Sequence, residues 1–354
     1  MMKLLIVEDS ALMRKLLGQV FSAEGDFELA FARDGVEALE LVRTFKPDVV
    51  TLDIHMPQMD GLTCLDRMMV IHPCPVVMVS SLTAEGAEET LAALDMGAVD
   101  FVAKPAGAIS LDFDMLAPRI IEKVRMAAKV RVRRSRRLAD RLRMDRQLSS
   151  NAVKPTPPKR TAGQSRGLIL VGTSTGGPAA LDVLLSDLPL DFPWPVVVAQ
   201  HMPAAFTGPL SRRLDKICAL DVVEVSGRMN LDAGTIYIAR GDADIIVSSR
   251  AGQLIAMPAP SDSAYRWHPS VERLVRSAMK HVPATDLIGV LMTGMGNDGA
   301  PAMAEMRLAG GYAIAEAEET AVVWGMPGEL VRLKGASEVL PLGNIGARVA
   351  ELAT

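Results

Sequence analysis

The sequence has few cysteines and no long hydrophobic run. Cys64, Cys74 and Cys218 are an odd number without CxxC spacing, which argues against a disulfide framework and against a zinc site. No apolar run approaches the roughly 20 residues that a membrane-spanning helix requires. The run Leu4–Val7 passes directly into acidic residues and is too short for a secretory signal. We therefore expect a cytoplasmic protein that does not insert into a membrane.

Neither sign of charge dominates, since 38 lysines and arginines stand against 42 aspartates and glutamates, for a net charge of −4. This balance argues against a protein dedicated to nucleic-acid binding, and we expect no nucleic acid as a partner. The chain has 354 residues, of which 49% are hydrophobic and 23% are charged. At roughly 100–200 residues per domain, this length favours two globular domains and excludes a single small module.

The first 124 residues alternate between short β-branched runs and amphipathic segments, which is the pattern of a doubly wound parallel sheet. The predicted strands are Lys3–Val7, Phe27–Ala32, Val49–Leu52, Val76–Val79 and Phe101–Ala103. The helical segments between them include Ala11–Ala23, Gly35–Thr44 and Glu85–Asp95. Residues 1–124 therefore form one predicted α/β domain.

Residues 125–165 differ in composition, because eight arginines between Arg131 and Arg146 precede a stretch with three prolines. Such a segment cannot build a core, so we predict a basic, semi-rigid linker, with a site for an anionic partner as the alternative. A second strand and helix rhythm in residues 166–354 predicts a mostly parallel, doubly wound α/β domain. Its predicted strands are Gly167–Val171, Val196–Gln200, Thr235–Ala239, Ile245–Ser248, Leu287–Met292 and Tyr312–Ala315.

Polar side chains gather at the predicted strand ends of the first domain. Glu8 and Asp9 follow the first strand, and Asp53 follows the third. In a parallel sheet these ends share one edge, where three carboxylates would bind Mg²⁺ through oxygen. Ser80 and Lys104 close two further strands, so a hydroxyl and an ammonium group could contact a phosphoryl group carried by Asp53.

These residues and the run Leu52–Gly61 come in the order and spacing of two-component receiver domains, which residues 1–124 closely resemble. The resemblance implies a flavodoxin-like fold, with Asp53 as the phosphoacceptor and a histidine kinase as the phosphodonor. It also implies that Glu8, Asp9 and Asp53 hold Mg²⁺, together with the backbone carbonyl of His55.

Two further positions belong to the same pattern. Ser80 and the pair Lys104-Pro105 match the receiver motif, and the resemblance implies that Ser80 and Lys104 are switch and phosphate contacts. Phe101 stands where receivers carry a rotating aromatic switch residue, although a buried core phenylalanine explains it equally well.

A glycine-rich turn, Gly172–Gly177, follows the first predicted strand of the second domain and opens a helix at Pro178. Its G-x-S-x-G spacing allows a sharp turn that presents the hydroxyl of Ser174, and the helix N-terminus offers N–H groups to an oxyanion. Ser174 is therefore a candidate nucleophile. A phosphate-binding turn or a simple tight connection is the alternative, although the G-x-G-x-x-G spacing of dinucleotide sites is absent.

A nucleophilic serine needs a base, and the second domain has three histidines. His201 directly follows a predicted strand, so it can face the same crevice as Ser174. His281 ends the helical run Val271–Lys280, where a histidine commonly caps carbonyl groups. His268 stays undecided and could line the rim of the crevice. We therefore predict His201 as the general base.

The base in turn needs a carboxylate that fixes its tautomer. Asp298 lies in the loop directly after the strand Leu287–Met292, so it shares the predicted edge with Ser174 and His201. A turn or a helix N-cap is the alternative role for Asp298. The chain order of the three residues differs from the Ser, Asp/Glu, His order of α/β-hydrolases, which makes that fold a poor match.

The motifs of this half are those of the chemotaxis protein-glutamate methylesterases, and the chain resembles this CheB family outside the linker. The matching segments are Gly172–Gly177, Gln200–Pro203, Arg266–Val271 and Thr293–Gly299. The family also joins a receiver to its catalytic domain, and its linker is shorter and less basic than residues 125–165.

The resemblance implies an activity and its site. Ser174 would attack the γ-methyl ester of a glutamate in a chemoreceptor cytoplasmic domain, His201 would move the proton, and Asp298 would orient His201. Backbone N–H groups near Thr175 and Met295 would form the oxyanion hole, and the same chemistry would deamidate receptor glutamines without a cofactor. Phosphorylation would activate the enzyme because the unphosphorylated receiver covers the crevice.

A second hypothesis comes from another class of protein. In it, the receiver controls a binding domain without hydrolase activity, in which Gly172–Gly177 holds a phosphate or nucleotide and the arginine-rich segment touches nucleic acid. Labelling of Ser174 by a fluorophosphonate distinguishes the two, because only a hydrolase activates that hydroxyl.

Overall fold

The computed structural model describes residues 1–81, 83–104, 109–130 and 166–353. The chain divides into two compact units, Met1–Arg146 and Gln147–Thr354. Most of the predicted linker 125–165, including its arginine run, lies outside the described residues. The domain bounds 1–124, 125–165 and 166–354 therefore stay a prediction.

The first unit contains a five-stranded parallel sheet in the order β2-β1-β3-β4-β5. Its strands are β1 (Met2–Val7), β2 (Phe27–Ala32), β3 (Val49–Asp53), β4 (Val76–Ser80) and β5 (Asp100–Ala103). The central strands are continuous apolar runs with almost no exposed surface, as in a sheet covered on both faces. This is the predicted flavodoxin-like strand order.

Helices connect the strands of the first unit, and polar side chains define where several of them begin. The helices are α1 (Ala11–Glu24), α2 (Gly35–Phe45), α3 (Gly61–Ile71), α4 (Ala84–Asp95) and α5 (Ile109–Ala127). The side chains of Ser10, Asp34, Asp60 and Thr83 accept hydrogen bonds from first-turn N–H groups of the first four helices. Gly25 ends α1 in the left-handed conformation, with φ of 73°.

The second unit is built on a seven-stranded parallel sheet in the order β15-β14-β13-β6-β7-β10-β8. Its strands are β6 (Leu168–Thr173), β7 (Val196–Gln200), β8 (Asp221–Val225), β10 (Thr235–Ala239), β13 (Leu287–Leu291), β14 (Tyr312–Glu316) and β15 (Glu338–Leu340). After β6 the chain first builds one side of the sheet and then returns to build the other from β13. In parallel α/β sheets, ligands bind at the carboxyl ends of the strands beside such a reversal.

A small antiparallel sheet and the remaining helices complete the second unit. The sheet has the order β11-β12-β9 and consists of β9 (Met229–Asn230), β11 (Asp244–Arg250) and β12 (Gln253–Ala259). The helices are α6 (Gly177–Ser186), α7 (Ala204–Ile217), α8 (Val271–Ala278), α9 (Ala300–Leu308), α10 (Met326–Arg332) and α11 (Leu342–Leu352), with a 3₁₀ turn at Ala284–Asp286.

The predicted α/β architecture is confirmed, with differences in individual strands. The predicted strand Ile245–Ser248 lies within β11 of the small antiparallel sheet, whose other strands, β9 and β12, are not among the predicted ones. β8 and β15 are the outermost strands of the large sheet, and the sequence analysis assigned no strand to either. β15 has only three residues, and β8 carries acidic residues in a partly exposed strand, so neither shows the buried apolar run that marks the central strands.

All three cysteines are buried and free, and burial raises the pKa of Cys64 and of Cys74 to about 12. These two thiols are therefore protonated at neutral pH and are poor nucleophiles. Within the described residues, no helix combines the length and the hydrophobicity needed to cross a bilayer.

Candidate functional site

Three acidic side chains of the first unit meet at the carboxyl edge of its sheet. Glu8 and Asp9 follow β1, Asp53 ends the adjacent β3, and carboxylate oxygens of all three lie within 4.8 Å of one another. Glu8 and Asp53 are buried, whereas Asp9 is exposed. Lys104 Nζ lies 2.8 Å from Asp53 Oδ2 and 3.0 Å from Glu8 Oε2. The structure thus brings together four of the residues predicted for this edge.

The charges at this edge are not balanced by Lys104 alone. Burial, and next the negative charge of Asp53, raise the pKa of Glu8 to about 7, although Lys104 acts in the opposite direction. Glu8 Oε2 is buried and accepts no well-oriented hydrogen bond from the described residues. A divalent cation would relieve this repulsion and satisfy that oxygen, so the acidic pocket fits Mg²⁺, a cation that prefers oxygen ligands.

The other residues predicted for the receiver site lie around this pocket. Ser80 is buried at the end of β4, and its Oγ donates to the carbonyl oxygen of Gly86 at 3.1 Å. Phe101 is packed inward with 5% of its surface exposed. The imidazole of His55 lies 3.1 Å from the carboxylate of Glu89 on α4. The roles predicted for Ser80, for Phe101 and for the His55 carbonyl stay predictions.

Ser174 lies on a tight turn between β6 and α6. Its carbonyl oxygen accepts from Gly177 N at 2.8 Å, and Gly176 adopts a left-handed φ of 77°, which favours glycine. A Cβ atom at Gly177 would lie 1.8 Å from Thr173 Oγ1 and 1.9 Å from Gln200 Oε1, so a side chain has no room there. Ser174 itself is partly exposed. The glycines therefore allow the turn that presents the hydroxyl at the sheet edge.

Gln200, the last residue of β7, joins the serine turn to His201. Its Oε1 accepts from Thr173 Oγ1 at 2.9 Å, and its Nε2 donates to the carbonyl oxygens of Ser174 and His201 at 3.0 and 3.1 Å. The side chain is buried, so it holds the carboxyl ends of β6 and β7 together in a region with little water.

His201 and Asp298 form a close pair, as predicted. His201 Nε2 lies 2.8 Å from Asp298 Oδ2, and the two side chains are 8% and 4% exposed. The other ring nitrogen, Nδ1, is buried and makes no hydrogen bond to any described residue. One nitrogen of the imidazole is thus held by a carboxylate while the other is available for proton transfer.

Asp298 is fixed by the N-terminus of α8. Its Oδ2 accepts from Val271 N at 2.7 Å, and its Oδ1 accepts from Glu272 N at 3.1 Å and from Ser270 Oγ at 3.0 Å. The helix that follows Asp298 in the chain is α9, and its N-cap is Gly299 and not Asp298. The carboxylate therefore satisfies N–H groups of a neighbouring helix, which stabilises its negative charge, and the alternative of a local N-cap is wrong.

The loop after β13 lies against the serine. Thr293 O accepts from Ser174 N at 2.9 Å, and Thr293 Oγ1 donates to Thr175 O at 2.8 Å. A Cβ atom at Gly294 would lie 2.7 Å from Ser174 Cβ. Met295 is the residue after Gly294, and Thr175 is the residue after Ser174. The two residues predicted to supply oxyanion N–H groups therefore belong to the two backbone segments that meet at Ser174.

The other two histidines have different surroundings. His268 Nδ1 lies 2.9 Å from Oδ1 of the buried Asp244, which also accepts from Ser270 N and Arg273 Nη1. Burial raises the pKa of Asp244, but the hydrogen bonds from His268 and Arg273 outweigh it and the net pKa is lowered. His281 is exposed, beyond the end of α8. Neither histidine replaces His201 beside Asp298.

The sequence predicts no function for three residues that lie beside this site. Ser270 begins α8 and donates to Asp298, the buried Glu316 accepts from Thr293 N at 2.8 Å, and Trp267 stacks on His201. A serine three residues before Arg273 is a recognisable helix N-cap signal. The contacts of Glu316 and Trp267 depend on distant strands and a long loop, so no local pattern reveals them.

The fold and the two side-chain clusters are those of a response regulator whose output unit is a hydrolase. Residues 4–112 match the model of the response regulator receiver domain, and residues 169–349 match the model of the CheB methylesterase. The chain belongs to the CheB methylesterase family and carries an N-terminal receiver domain.

Individual relatives agree with this assignment. The chain is 55% identical to protein-glutamate methylesterase/protein-glutamine glutaminase 2 of Rhodopseudomonas palustris, over 99% of this chain and 98% of the relative. It is 44% identical to a protein of Vibrio cholerae with the same description, numbered 3, over 94% and 91% of the two chains. The crystal structure of the CheB methylesterase catalytic domain of Thermotoga maritima matches with 36% identity and a TM-score of 0.52, covering 53% of this chain and 99% of that one.

Proposed function

We propose that this chain is a protein-glutamate methylesterase and protein-glutamine glutaminase that acts in chemotaxis adaptation under the control of its receiver domain. The observation that carries the proposal is the hydrogen-bonded pair His201–Asp298 at the same sheet edge as Ser174. The identity to relatives with this activity along the whole chain supports it.

The reaction follows from the chemistry of the three side chains. Ser174 Oγ attacks the γ-carbonyl carbon of a methylated glutamate while His201 Nδ1 takes the hydroxyl proton. N–H groups of the segments containing Thr175 and Met295 stabilise the oxyanion, and His201 returns the proton to the departing methanol oxygen. Water then enters, and the same histidine activates it to hydrolyse the acyl-enzyme. A glutamine follows the same course with ammonia as the leaving group.

The receiver supplies the control. A histidine kinase transfers a phosphoryl group to Asp53, and Mg²⁺ held by Glu8, Asp9 and Asp53 would neutralise charge on the transferred group. Lys104 and Ser80 then contact the phosphoryl oxygens, which changes the surface of the receiver and activates the esterase. The substrates are methylated cytoplasmic domains of chemoreceptors, so the enzyme works in the cytoplasm.

The contacts at the serine turn favour this activity over a phosphate- or nucleotide-binding role for Gly172–Gly177. A phosphate site needs N–H donors and positive charge at the turn. Here the turn instead lies beside a histidine that is oriented by a carboxylate, and the tight fit of Gly177 against Gln200 and Thr173 explains the glycine without a ligand.

Methanol release from methylated chemoreceptor membranes tests the proposal. We expect Ser174→Ala to lose activity by several orders of magnitude with an unchanged unfolding transition, because the nucleophile is removed. Ser186→Ala is the matched control, since it removes a serine hydroxyl from the following helix, outside the site. Retained activity in Ser174→Ala would refute the proposed nucleophile.

A further inference from the structure

The indole of Trp267 lies parallel to the imidazole of His201. The ring centroids are 6.0 Å apart and the planes differ by 3°. The same indole rests on the loop after β13, because a Cβ atom at Gly296 would lie 2.4 Å from Trp267 Cζ2. Trp267 therefore contacts the loop that follows Met295 and faces the proposed general base.

We infer that Trp267 is a positioning residue for the hydrolysis, which fixes the plane of the His201 ring and stabilises the positive charge that this ring acquires. The inference rests on the proposed function. Asp298 holds one ring nitrogen of His201, and a single hydrogen bond leaves the ring free to rock about that bond. A parallel aromatic face opposes the rocking motion.

His201 gains a proton during the proposed reaction. When Ser174 Oγ bonds to the carbonyl carbon, its O–H bond breaks and the proton moves to His201, which becomes an imidazolium until it protonates methanol or ammonia. The face of an indole is negative and attracts a cation within about 6 Å of its centroid. Because His201 takes up this proton in the chemical step and not on substrate binding, the attraction accelerates catalysis without tightening substrate binding.

The other charged groups around this pair set limits on the effect. Asp298 contacts His201 directly, and Glu272 lies beside Asp298 in the first turn of α8. The guanidinium of Arg266 lies 5.1 Å from the centroid of the same indole and therefore competes with the imidazolium for it. Arg266 is exposed, so solvent screens its charge more than that of the buried His201.

Replacement of the indole in the full-length chain tests the inference. We expect Trp267→Leu to lower kcat for methanol release about 3- to 30-fold, with KM within about twofold of the parent value. Trp267→Phe, which keeps an aromatic face, should stay within about threefold of the parent kcat. Labelling of Ser174 by a fluorophosphonate should slow in parallel in the leucine variant, because that reaction also uses His201 as the base.

Three results would overturn the inference. One is a parental kcat in Trp267→Leu, the second is a raised KM with unchanged kcat, and the third is an equal loss in the leucine and phenylalanine variants. If the leucine variant does not fold, Trp267→Met, which fills more of the space, is measured in its place. Activity in Ser174→Ala would instead refute the proposed function, so the two failures are distinguishable.

Discussion

At the scale of single residues, burial changes the pKa of Glu8 in the acidic pocket of the receiver. Its pKa of about 7, raised by burial and by Asp53, means that near neutral pH a proton and a metal ion compete for the same oxygens. Above this pKa Glu8 carries a negative charge and can ligate a cation, whereas below it the neutral form is favoured and metal affinity falls.

We therefore expect Mg²⁺ to bind the full-length chain about tenfold more weakly at pH 6 than at pH 8. Isothermal titration calorimetry at the two pH values, in the absence of a phosphodonor, measures the difference. The matched control is Glu8→Gln, which should bind Mg²⁺ more weakly at both pH values and lose most of the pH dependence. Equal affinities of the parent chain at pH 6 and pH 8 would contradict the proposed protonation of Glu8.

At the scale of secondary structure elements, α8 supports the carboxylate of Asp298, for which we propose a catalytic role. Ser270 caps this helix by accepting from Arg273 N at 3.2 Å and also donates to Asp298 Oδ1. One hydroxyl thus fixes both the helix and the residue proposed to orient His201. We therefore expect removal of the hydroxyl to affect stability and catalysis together.

We expect Ser270→Ala to lower the free energy of unfolding by about 1–2 kcal/mol, because the hydroxyl is completely buried and both of its hydrogen bonds are lost. Methanol release should fall about tenfold through the less fixed Asp298, a cost close to that of one buried hydrogen bond. Urea unfolding and initial rates measure the two effects. Ser270→Thr keeps the hydroxyl and should restore most of both. A fully active and fully stable alanine variant would show that the cap does not matter.

The long strands and helices could be predicted because the residue pattern that indicates each of them lies within its own segment of the sequence. The central strands are continuous apolar runs. The residues at the carboxyl ends of β1 and β3, and those after β6, β7 and β13, could each be assigned to one edge of their own sheet because parallel strands share their carboxyl ends. The edge strand β15 and the contact of Trp267 with His201 depend on neighbours distant in sequence, so no pattern in the adjacent residues predicts them.

At the scale of the whole molecule, one chain carries a receiver domain with a proposed phosphoacceptor and a methylesterase domain with a proposed catalytic serine. The family assignment covers both, since the receiver match and the methylesterase match lie on separate parts of the chain. We propose that the unphosphorylated receiver inhibits the esterase and that phosphorylation of Asp53 relieves this inhibition. A coupling of about 1–3 kcal/mol, typical of allosteric systems, corresponds to roughly 5- to 150-fold activation.

Removal of residues 1–124 should therefore raise basal methanol release above that of the unphosphorylated full-length chain. Acetyl phosphate with Mg²⁺ should activate the full-length chain to a similar degree, while Asp53→Asn should keep only the basal rate because it lacks the phosphoacceptor. The measurement compares initial rates on the same receptor membranes. A truncated chain slower than the unphosphorylated parent would contradict inhibition and would give the receiver a role in assembling the site or recruiting substrate.

The run of arginines between Arg131 and Arg146 lies in the sequence between the receiver match and the methylesterase match. If it is only a spacer, replacing Arg133, Arg134, Arg136 and Arg137 with glutamine should leave methanol release by the purified chain nearly unchanged. Salt-dependent binding of the parent chain to DNA or anionic vesicles, lost in that variant, would instead establish an anionic partner site.

The central claim is that Ser174 is a nucleophile activated by His201 and Asp298. Its most direct test is to react the full-length chain with a fluorophosphonate and to locate the adduct by peptide mass spectrometry. We predict one stoichiometric adduct, on Ser174, that is absent from Ser174→Ala and forms at least a hundredfold more slowly in His201→Gln, on the order of the loss from removing a general base. An unlabelled chain that still releases methanol, or an adduct on another residue, would contradict the account.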